Sequence, residues 1–157
     1  MDLNIQSLGH YYDDLEILRD INLDVPAGQI VTVIGPSGCG KSTLLRLIGG
    51  LEQPTTGAVL QVGDAPKNSL NPLTYIFQDF ALLPWRSVAG NISLVLEDHD
   101  LASADMNAII DNVLERTRLS DFRYAFPRQL SGGMKQRVAF ARALAVRPAV
   151  LLMDEPL

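Results

Sequence analysis

Only one cysteine, Cys39, occurs among the 157 residues of this chain, so no disulfide can form within it. A lone thiol is typical of proteins that work in a reducing compartment. No apolar run reaches the roughly 18 residues of a membrane-spanning helix. The first residues also lack the basic stretch and the apolar segment of a secretion signal. We therefore expect a cytosolic protein.

Positive charge is scarce, because 13 lysine and arginine residues stand against 18 aspartate and glutamate residues, a formal net charge of −5. Proteins that bind a nucleic-acid backbone usually present a basic face. The charge balance therefore argues against nucleic acid as the main partner. Hydrophobic residues make up 47% of the chain, which is enough for the core of one domain.

The stretch GPSGCGKST, residues 35–43, organises the rest of the chain. It matches the GxxxxGK[ST] pattern of a phosphate-binding loop and follows the apolar run 30–34, which predicts a buried strand. Its glycines let backbone N–H groups turn toward one anion, and the next helix directs its positive dipole end to the same place. Lys41 adds charge for the outer phosphates, and the Ser42 hydroxyl is placed to coordinate magnesium.

The alternative is a chance glycine-rich turn before an amphipathic helix. Strand, loop, lysine, hydroxyl and helix all occur in the order that a phosphate loop requires, which disfavours that alternative. The predicted nucleotide-binding residues of this loop are Gly35, Pro36, Ser37, Gly38, Cys39, Gly40, Lys41, Ser42 and Thr43.

Two stretches of alternating apolar and polar residues, around Ile5 and around Leu23, precede the loop. They predict antiparallel strands with one buried face. Between them we expect Tyr11 and Tyr12 in a polar turn, where an aromatic ring either packs locally or stacks on a nucleotide base. Further short strands are predicted at 59–62 and 73–77.

The middle of the chain is predicted to be helical from Val88 onward. One helix is expected around Ile92 and a second around Ile110, the latter capped by Ser103. The apolar group at 80–85, beside a proline, either folds under as a small satellite core or forms a contact patch for a partner.

A second anion site is predicted at LSGGMKQR, residues 130–137. Ser131 is suited to cap the helix that runs from here to Arg147, and Gly132 and Gly133 leave its first N–H groups uncovered. Most serine–glycine pairs are simple turns, so this signal becomes informative only together with the phosphate loop.

Two acidic residues, Asp154 and Glu155, follow the last predicted strand, 150–153. Acidic residues at the carboxyl end of a parallel strand lie where open α/β sheets bind ligands. Asp154 can hold magnesium and Glu155 can polarise an attacking water. The alternative is a helix N-cap and its neighbour, which the phosphate loop disfavours.

The chain resembles the ATP-binding subunit of an ABC transporter in four features that occur in the same order. These are GPSGCGKST, Gln78 after a strand, LSGGMKQR and LLMDEP. The resemblance covers the whole chain and implies an α/β P-loop NTPase with an N-terminal antiparallel β subdomain, a parallel core sheet and a helical insertion subdomain. It implies a β subdomain and phosphate-loop core at 1–78, a helical insertion with the signature at 79–147, and the Walker B strand at 148–157.

The resemblance also implies roles for single residues. Lys41, Gln78 and Glu155 are the implied catalytic residues, and the implied magnesium ligands are Ser42, Gln78 and Asp154. ATP is the implied nucleotide and Mg²⁺ the implied metal.

In this family two subunits pair head to tail, and each ATP lies between one chain's phosphate loop and the other's signature. The residues that match the signature contact here are Ser131, Gly132 and Gly133. Tyr12 matches the aromatic residue that stacks on adenine, with Tyr11 as the neighbouring possibility.

Two stretches are similar to sequences of the importer branch that serves nitrate, sulfonate, taurine and related small solutes. They are FQDFALLPWRSVAGNI and FRYAFPRQLSGGMKQRVAFARALAVRP. In that branch the loop after the glutamine docks the membrane subunit, which favours a partner contact for residues 83–85. The implied partners are a second ATPase subunit, permease subunits and, indirectly, a solute-binding protein, with no nucleic acid. The implied location is cytoplasmic, peripheral on the inner face of the cell membrane.

One departure from the family pattern is that the sequence ends three residues after Asp154. The family continues with a loop ending in aspartate, a further strand and a histidine that senses the γ-phosphate, and neither His10 nor His99 is placed to substitute. In the family, this further strand lies in the sheet between the strands that end here at Ile34 and Met153. We therefore expect these two strands to lack their shared neighbour. We therefore expect that the sequence is a truncated or partial copy of such a subunit. Expressed alone, these 157 residues should not show steady ATP turnover.

Two other functions remain as alternatives. A soluble ABC-type ATPase of DNA repair or translation would usually carry a long coiled-coil insertion or a second cassette, and the sequence shows neither. An inactive remnant is favoured solely by the truncation. A GTPase is disfavoured because no NKxD motif occurs.

Overall fold

The computed structural model describes residues 1–155. The chain forms two compact units, Met1–Pro66 and Lys67–Leu157. Residues 156 and 157, the end of the predicted Walker B segment, lie outside the described residues. Within the described part, no helix is both long and apolar enough to cross a bilayer.

The first unit contains a three-stranded antiparallel sheet with the order β2-β1-β3. Its strands are β1 (Asp2–Tyr12), β2 (Leu15–Val25) and β3 (Thr56–Val62). The alternating pattern that predicted β1 is confirmed, because Leu3, Ile5 and Leu8 are buried. Ile5 lies opposite Leu23 on one side and Val59 on the other, so β1 is the central strand.

The connection between β1 and β2 is a tight turn at Asp13 and Asp14. Tyr12 pairs with Leu15 across it, and Asp13 has a positive φ of 53°, which aspartate adopts more readily than most residues. The expected placement of Tyr11 and Tyr12 in the turn is therefore wrong, since both belong to β1. Tyrosine favours strands, so the ladder extends up to the two aspartates.

The segment before the phosphate loop does not form the predicted buried strand. Ile30 and Ile34 are 92% and 87% exposed, and residues 26–40 contain no helix or strand. None of the described strands pairs with this segment. It therefore has neither ladder hydrogen bonds nor a covered face to stabilise a strand.

Helix α1 (Lys41–Ile48) follows the phosphate loop, as predicted. Gly40 precedes it with a φ of 93°, and the helix ends at Gly49. Its buried apolar side chains, Leu44, Leu47 and Ile48, recur at helical spacing. The amphipathic pattern of this stretch is therefore confirmed.

The second unit combines a parallel strand pair with three helices. These elements are β4 (Leu73–Ile76), α2 (Val88–Ser93), α3 (Ser103–Arg116), α4 (Gly132–Ala145) and β5 (Val150–Met153). Single turns of 3₁₀ helix lie at Leu94–Leu96, Ser120–Phe122 and Pro127–Gln129. Strands β4 and β5 are parallel, with Ile76 opposite Met153. The antiparallel sheet, the parallel pair and the helices confirm the predicted α/β architecture.

The helical periodicity from Val88 onward is confirmed, because Val88, Ile92 and Leu96 are completely buried in one core. The same core includes Ile110, Val113, Leu114, Leu119, Leu130, Val138, Ala141, Ala145 and Val146.

The predicted cap of α3 is wrong by one residue. Ala102, in extended backbone, occupies the N-cap position, no side chain caps the helix, and Ser103 is its first residue. Apolar periodicity locates the buried face of a helix but leaves its first residue uncertain by one or two positions. Asp105 in the first turn complements the helix dipole instead.

Candidate functional site

The side chain of Lys41 closes the phosphate loop. Its ammonium donates hydrogen bonds to the carbonyl oxygens of Gly35 and Pro36, with Nζ–O distances of 2.9 and 2.8 Å. Gly38 and Gly40 have φ angles of 80° and 93°, which are strained for any residue with a side chain. The loop therefore surrounds the Lys41 ammonium, which can release these carbonyl oxygens and bind phosphate oxygens instead.

The N-terminus of α1 is open to an anion. Gly40 occupies the N-cap position, no side chain caps the helix, and its first turn contains no acidic residue. The first N–H groups and the helix dipole therefore favour a phosphate at this end. The predicted ligands Ser42 and Thr43 belong to this first turn, where Thr43 is buried.

The phosphate loop leaves no room for a side chain at two of its glycines. A Cβ on Gly40 would lie 2.9 Å from Cδ2 of Leu18 and 3.2 Å from Cγ2 of Ile17, both on β2. A Cβ on Gly35 would lie 2.7 Å from Sγ of Cys39, whose thiol is exposed. The end of the loop therefore lies directly against the β1–β2 hairpin.

The ring of Tyr12, predicted to stack on a base, is partly exposed and anchored at its tip. Its hydroxyl donates a hydrogen bond to Glu52, with 2.6 Å between the oxygens. The ring stands perpendicular to the buried ring of His10, with centroids 4.8 Å apart. Tyr12 is 41% exposed, so part of its ring is accessible. Sequence reasoning missed Glu52, which belongs to no recognisable motif.

The neighbouring Tyr11 makes a similar but separate contact. Its hydroxyl donates to Glu16 at 2.7 Å, and Arg19 binds the same carboxylate. Two hydrogen bonds lower the pKa of Glu16 to about 2; the one from Arg19 has the larger effect and the one from Tyr11 the smaller. The hydrogen bond to Glu16 raises the pKa of Tyr11. Because successive strand residues alternate between faces, Tyr11 lies on the opposite side of β1 from Tyr12.

In the second unit, Asp154 and Glu155 follow β5 as predicted. Asp154 is buried, and its Oδ2 accepts a hydrogen bond from the hydroxyl of Tyr75 at 3.0 Å. Its backbone N–H donates to the carbonyl of Ile76. Glu155 is exposed and has a positive φ of 46°. Tyr75, on β4, is a contact that the sequence did not reveal.

The structure brings Gln78 to Glu155. Nε2 of Gln78 donates a hydrogen bond to Oε2 of Glu155 at 2.8 Å. The two residues follow β4 and β5, whose parallel pairing places both carboxyl ends at one edge. Two predicted catalytic residues are therefore adjacent in the second unit.

The buried carboxylate of Asp154 fits a magnesium ligand, because Mg²⁺ prefers oxygen donors. No three His, Cys, Asp or Glu side chains cluster around a metal position within residues 1–155. Mg²⁺ usually needs only one or two carboxylates when substrate phosphates and water complete its coordination. The donor set is therefore suited to a metal that arrives with a nucleotide.

The predicted cap of α4 is confirmed. Ser131 is the N-cap residue, and its Oγ accepts a hydrogen bond from the N–H of Met134 at 3.3 Å. A Cβ on Gly132 or Gly133 would meet no atom within 4 Å. The start of this helix therefore has an open surface, with room for a ligand against the backbone.

The loop after Gln78 divides into a packed part and an exposed part. Phe80 and Leu82 pack against buried clusters, whereas Trp85 is 71% exposed. Two residues that sequence reasoning missed hold the loop. The first is Asn91, which is completely buried. Its Oδ1 accepts a hydrogen bond from the backbone N–H of Leu83, and its Nδ2 donates to the Leu83 carbonyl. Nδ2 also donates to the carbonyls of residues 86 and 87.

The guanidinium of Arg142 holds the same loop from α4. It donates hydrogen bonds to the carbonyls of Phe80 and Ala81, with N–O distances of 2.8 and 3.0 Å. Burial lowers the pKa of Arg142. Ala81 has a positive φ of 45°, so this anchor supports a strained turn.

Comparison with known proteins matches residues 18–157 to the family described as ABC transporter. The aliphatic sulfonates import ATP-binding protein of Rhodopseudomonas palustris (strain BisA53) is 47% identical over 155 residues, 99% of this chain and 54% of that protein. The nitrate import ATP-binding protein of Synechococcus elongatus is 45% identical over 141 residues, 88% of this chain and 52% of that protein. The spermidine/putrescine import ATP-binding protein of Nitrosomonas eutropha is 41% identical over 158 residues, 99% and 44% respectively. The chain spans about half the length of these curated relatives.

Among solved structures, this chain is similar to a dimeric ATP-binding cassette in a post-hydrolysis state bound to ADP and phosphate. The TM-score is 0.83 at 30% sequence identity, and the match covers 98% of this chain and 74% of that one.

Proposed function

Because this chain belongs to the ABC transporter family, we propose that it is the ATP-binding and ATP-hydrolysing subunit of an importer for a small solute such as nitrate, a sulfonate or taurine. Relatives named for sulfonate and nitrate import support this solute class, whereas one named for polyamine import shows how widely solutes vary at similar identity. The subunit is proposed to be peripheral on the inner face of the membrane.

One observation carries the nucleotide-binding part of the proposal, namely that β2 lies so close to Gly40 that a Cβ there would crowd it. Tyr12 pairs with Leu15, two residues before Ile17, whose Cγ2 would lie 3.2 Å from a Cβ on Gly40. At about 3.3 Å per strand residue, Tyr12, the proposed base-stacking residue, lies roughly 7 Å along the hairpin from the end of the phosphate loop. The sugar of a nucleotide can bridge a separation of this order, with its base at Tyr12 and its phosphates at the loop.

Binding of the triphosphate is assigned to the loop backbone and Lys41. The ammonium of Lys41 leaves the carbonyls of Gly35 and Pro36 and pairs with phosphate oxygens, while the first N–H groups of α1 meet the same anion. These contacts neutralise phosphate charge.

Hydrolysis is assigned to the residues that follow β4 and β5. Glu155 is the proposed general base that takes a proton from the attacking water, and the amide of Gln78 orients its carboxylate. Asp154, held by Tyr75, is the proposed metal ligand of this unit. Magnesium, when bound, neutralises charge that develops on the phosphate oxygens.

The open start of α4 is proposed to meet the ATP of a second copy. Ser131, Gly132 and Gly133 leave the helix N-terminus accessible, and a helix N-terminus favours phosphate. A similar cassette is dimeric in its solved structure, which supports the pairing of two subunits; the head-to-tail arrangement is part of the proposal.

The exposed Trp85 is proposed to dock a permease subunit. Asn91 holds the preceding backbone at Leu83, so the loop presents the indole from a rigid support. Large aromatic side chains on rigid supports are typical centres of protein interfaces. A solute-binding protein would then act indirectly, through the permease.

The test of this function uses the intact subunit, meaning the complete protein to which this sequence belongs. It is titrated with ATP and then used to capture partners from membranes. We expect magnesium-dependent ATP binding, and recovery of a membrane permease with the wild type but at least about tenfold less with Trp85→Ala. Val62→Ala, which trims another exposed apolar side chain, serves as the control and should recover the permease fully. Absence of ATP binding would overturn the proposal, and capture of nucleic acid instead of a permease would favour the soluble ABC-type ATPase.

A further inference from the structure

Glu52 joins three side chains from two elements of the first unit. Its Oε2 accepts the hydrogen bond from the hydroxyl of Tyr12 at 2.6 Å and lies 3.6 Å from Nε2 of the buried His10. Its Oε1 lies 3.5 Å from a guanidinium nitrogen of Arg46. Tyr12 and His10 belong to β1, whereas Arg46 belongs to α1, the helix that begins at Lys41. One carboxylate therefore connects the proposed base-stacking ring to the phosphate-loop helix.

We propose that Glu52 is a positioning residue for nucleotide binding, which orients the Tyr12 ring toward the base. The inference rests on the proposed function, because it assumes that Tyr12 meets the base. It adds a residue that lies outside the phosphate loop, the signature and the acidic pair.

The contact of Glu52 with Tyr12 has the geometry of a strong hydrogen bond. A separation of 2.6 Å between hydroxyl and carboxylate oxygens falls in the range of charge-assisted hydrogen bonds. The ring also makes a perpendicular contact with His10. Because the ring is anchored at its tip and contacts His10, it loses less freedom when a base stacks on it than a free ring would. Such preorganisation improves affinity because less conformational entropy is lost on binding.

Arg46 extends this effect to the phosphate loop. Arg46 and Lys41 lie on one short helix, so a carboxylate that holds both Arg46 and Tyr12 limits how far the ring can move from α1. Glu52 is 28% exposed at its side chain, so its contacts are neither fully hydrated nor deeply buried. The expected energetic effect is therefore moderate.

The Tyr11–Glu16 pair provides a matched internal control. It has the same tyrosine-to-carboxylate hydrogen bond, at 2.7 Å, in the adjacent residue of β1. Its third member, Arg19, belongs to β2 rather than to α1. The pair lies on the opposite face of the strand. Comparing the two pairs therefore separates the effect of losing any tyrosine–carboxylate hydrogen bond on β1 from the effect of losing the one that holds Tyr12.

The test compares ATP with inorganic tripolyphosphate as ligands of the intact subunit, both with magnesium. We expect Glu52→Ala to weaken ATP binding about two- to tenfold, the effect of one net hydrogen bond, while tripolyphosphate affinity stays unchanged. Glu52→Gln retains an acceptor for Tyr12 and should recover most of the ATP affinity. Glu16→Ala should change neither ligand's affinity.

A second variant keeps the inference testable if Glu52→Ala does not fold. Tyr12→Phe removes only the hydroxyl and should weaken ATP binding by the same factor. Adding Glu52→Ala to it should cause little further loss, because both variants remove one interaction.

Three results would overturn the inference. An unchanged ATP affinity in Glu52→Ala, together with a loss in Tyr12→Ala, would remove Glu52 from its role and leave the proposed function intact. An equal loss of tripolyphosphate affinity would show that Glu52 acts on the loop rather than on the base. If the wild type binds tripolyphosphate but gains nothing from the base and sugar of ATP, both proposals fail.

Discussion

The amide of Gln78 donates a hydrogen bond to the carboxylate of Glu155, with 2.8 Å between Nε2 and Oε2. The two residues lie 77 positions apart and meet because β4 and β5 run parallel, with Ile76 opposite Met153. Glu155 makes this contact with a positive φ of 46°, a strained conformation for a residue other than glycine. Strain that places a carboxylate beside an amide is consistent with the proposed general base and its orienting partner.

Glu155→Gln is expected to slow ATP hydrolysis by the intact subunit about 10²- to 10⁴-fold, the usual contribution of a positioned general base. ATP affinity should stay within about twofold, because the phosphate loop is unchanged. Phosphate release and ATP titration measure the two effects. Glu115→Gln, at an exposed position of α3, is the control and should retain full turnover. Normal turnover in Glu155→Gln would assign the base to another residue.

Lys41→Ala is expected to raise the dissociation constant for ATP about 10- to 150-fold. A hydrogen bond to a charged group contributes about 1.5 to 3 kcal/mol, and each 1.4 kcal/mol is a factor of ten. Isothermal titration provides the measurement. Lys67→Ala removes an exposed lysine outside the loop and should bind ATP as the wild type does. Equal affinity in both variants would argue against the assignment of Lys41.

Gly132→Ala separates folding from pairing of two subunits. Apart from its chain neighbours and the backbone of its own helix, a Cβ at this position meets no atom within 4 Å. The melting temperature should therefore stay the same or rise slightly, since alanine is the better helix former. If the nucleotide of a second copy approaches this backbone, the methyl group crowds it and turnover should fall about 5- to 150-fold. Unchanged turnover would contradict the proposed contact with a second copy.

Arg142→Met is expected to loosen the loop after Gln78 while α4 stays folded. The variant leaves the carbonyls of Phe80 and Ala81 without their partner, at a cost of about 1 to 3 kcal/mol. Amide hydrogen exchange should accelerate across 79–85, and the melting temperature should fall. Arg128→Met, at an exposed position, should change neither. Protection of 79–85 equal to the wild type would show that Asn91 holds the loop alone.

Acid should weaken the contribution of Glu16 to stability. Its pKa in the folded chain is about 2, against an ordinary value of 4.5, chiefly because Arg19 binds the carboxylate. A lowered folded-state pKa means that the stabilisation is complete above the unfolded value and is lost as pH falls through the folded one. The difference in melting temperature between the wild type and Glu16→Gln should therefore shrink between pH 4.5 and 2. A constant difference would contradict the pairing, which is exposed and of modest strength.

Much of the fold followed from local sequence patterns. The alternation around Ile5, the helical spacing from Val88 and the Ser131 cap are confirmed, because each depends on residues a few positions apart. The strand predicted at 30–34 is wrong for the described chain, because a strand also requires a neighbour that its own residues cannot supply. The Ser103 cap and the turn at Tyr11 and Tyr12 are wrong because the ends of elements depend on the packing around them.

By itself the sequence determined the order and chemistry of the motifs, since glycine, lysine, hydroxyl and carboxylate residues have their properties wherever the chain places them. Tertiary structure alone decided which of them meet. Tyr12 reaches Glu52, Gln78 reaches Glu155 and Asn91 holds Leu83. The first two contacts join positions 40 and 77 residues apart, so they depend on how distant segments pair, and no local pattern encodes that register.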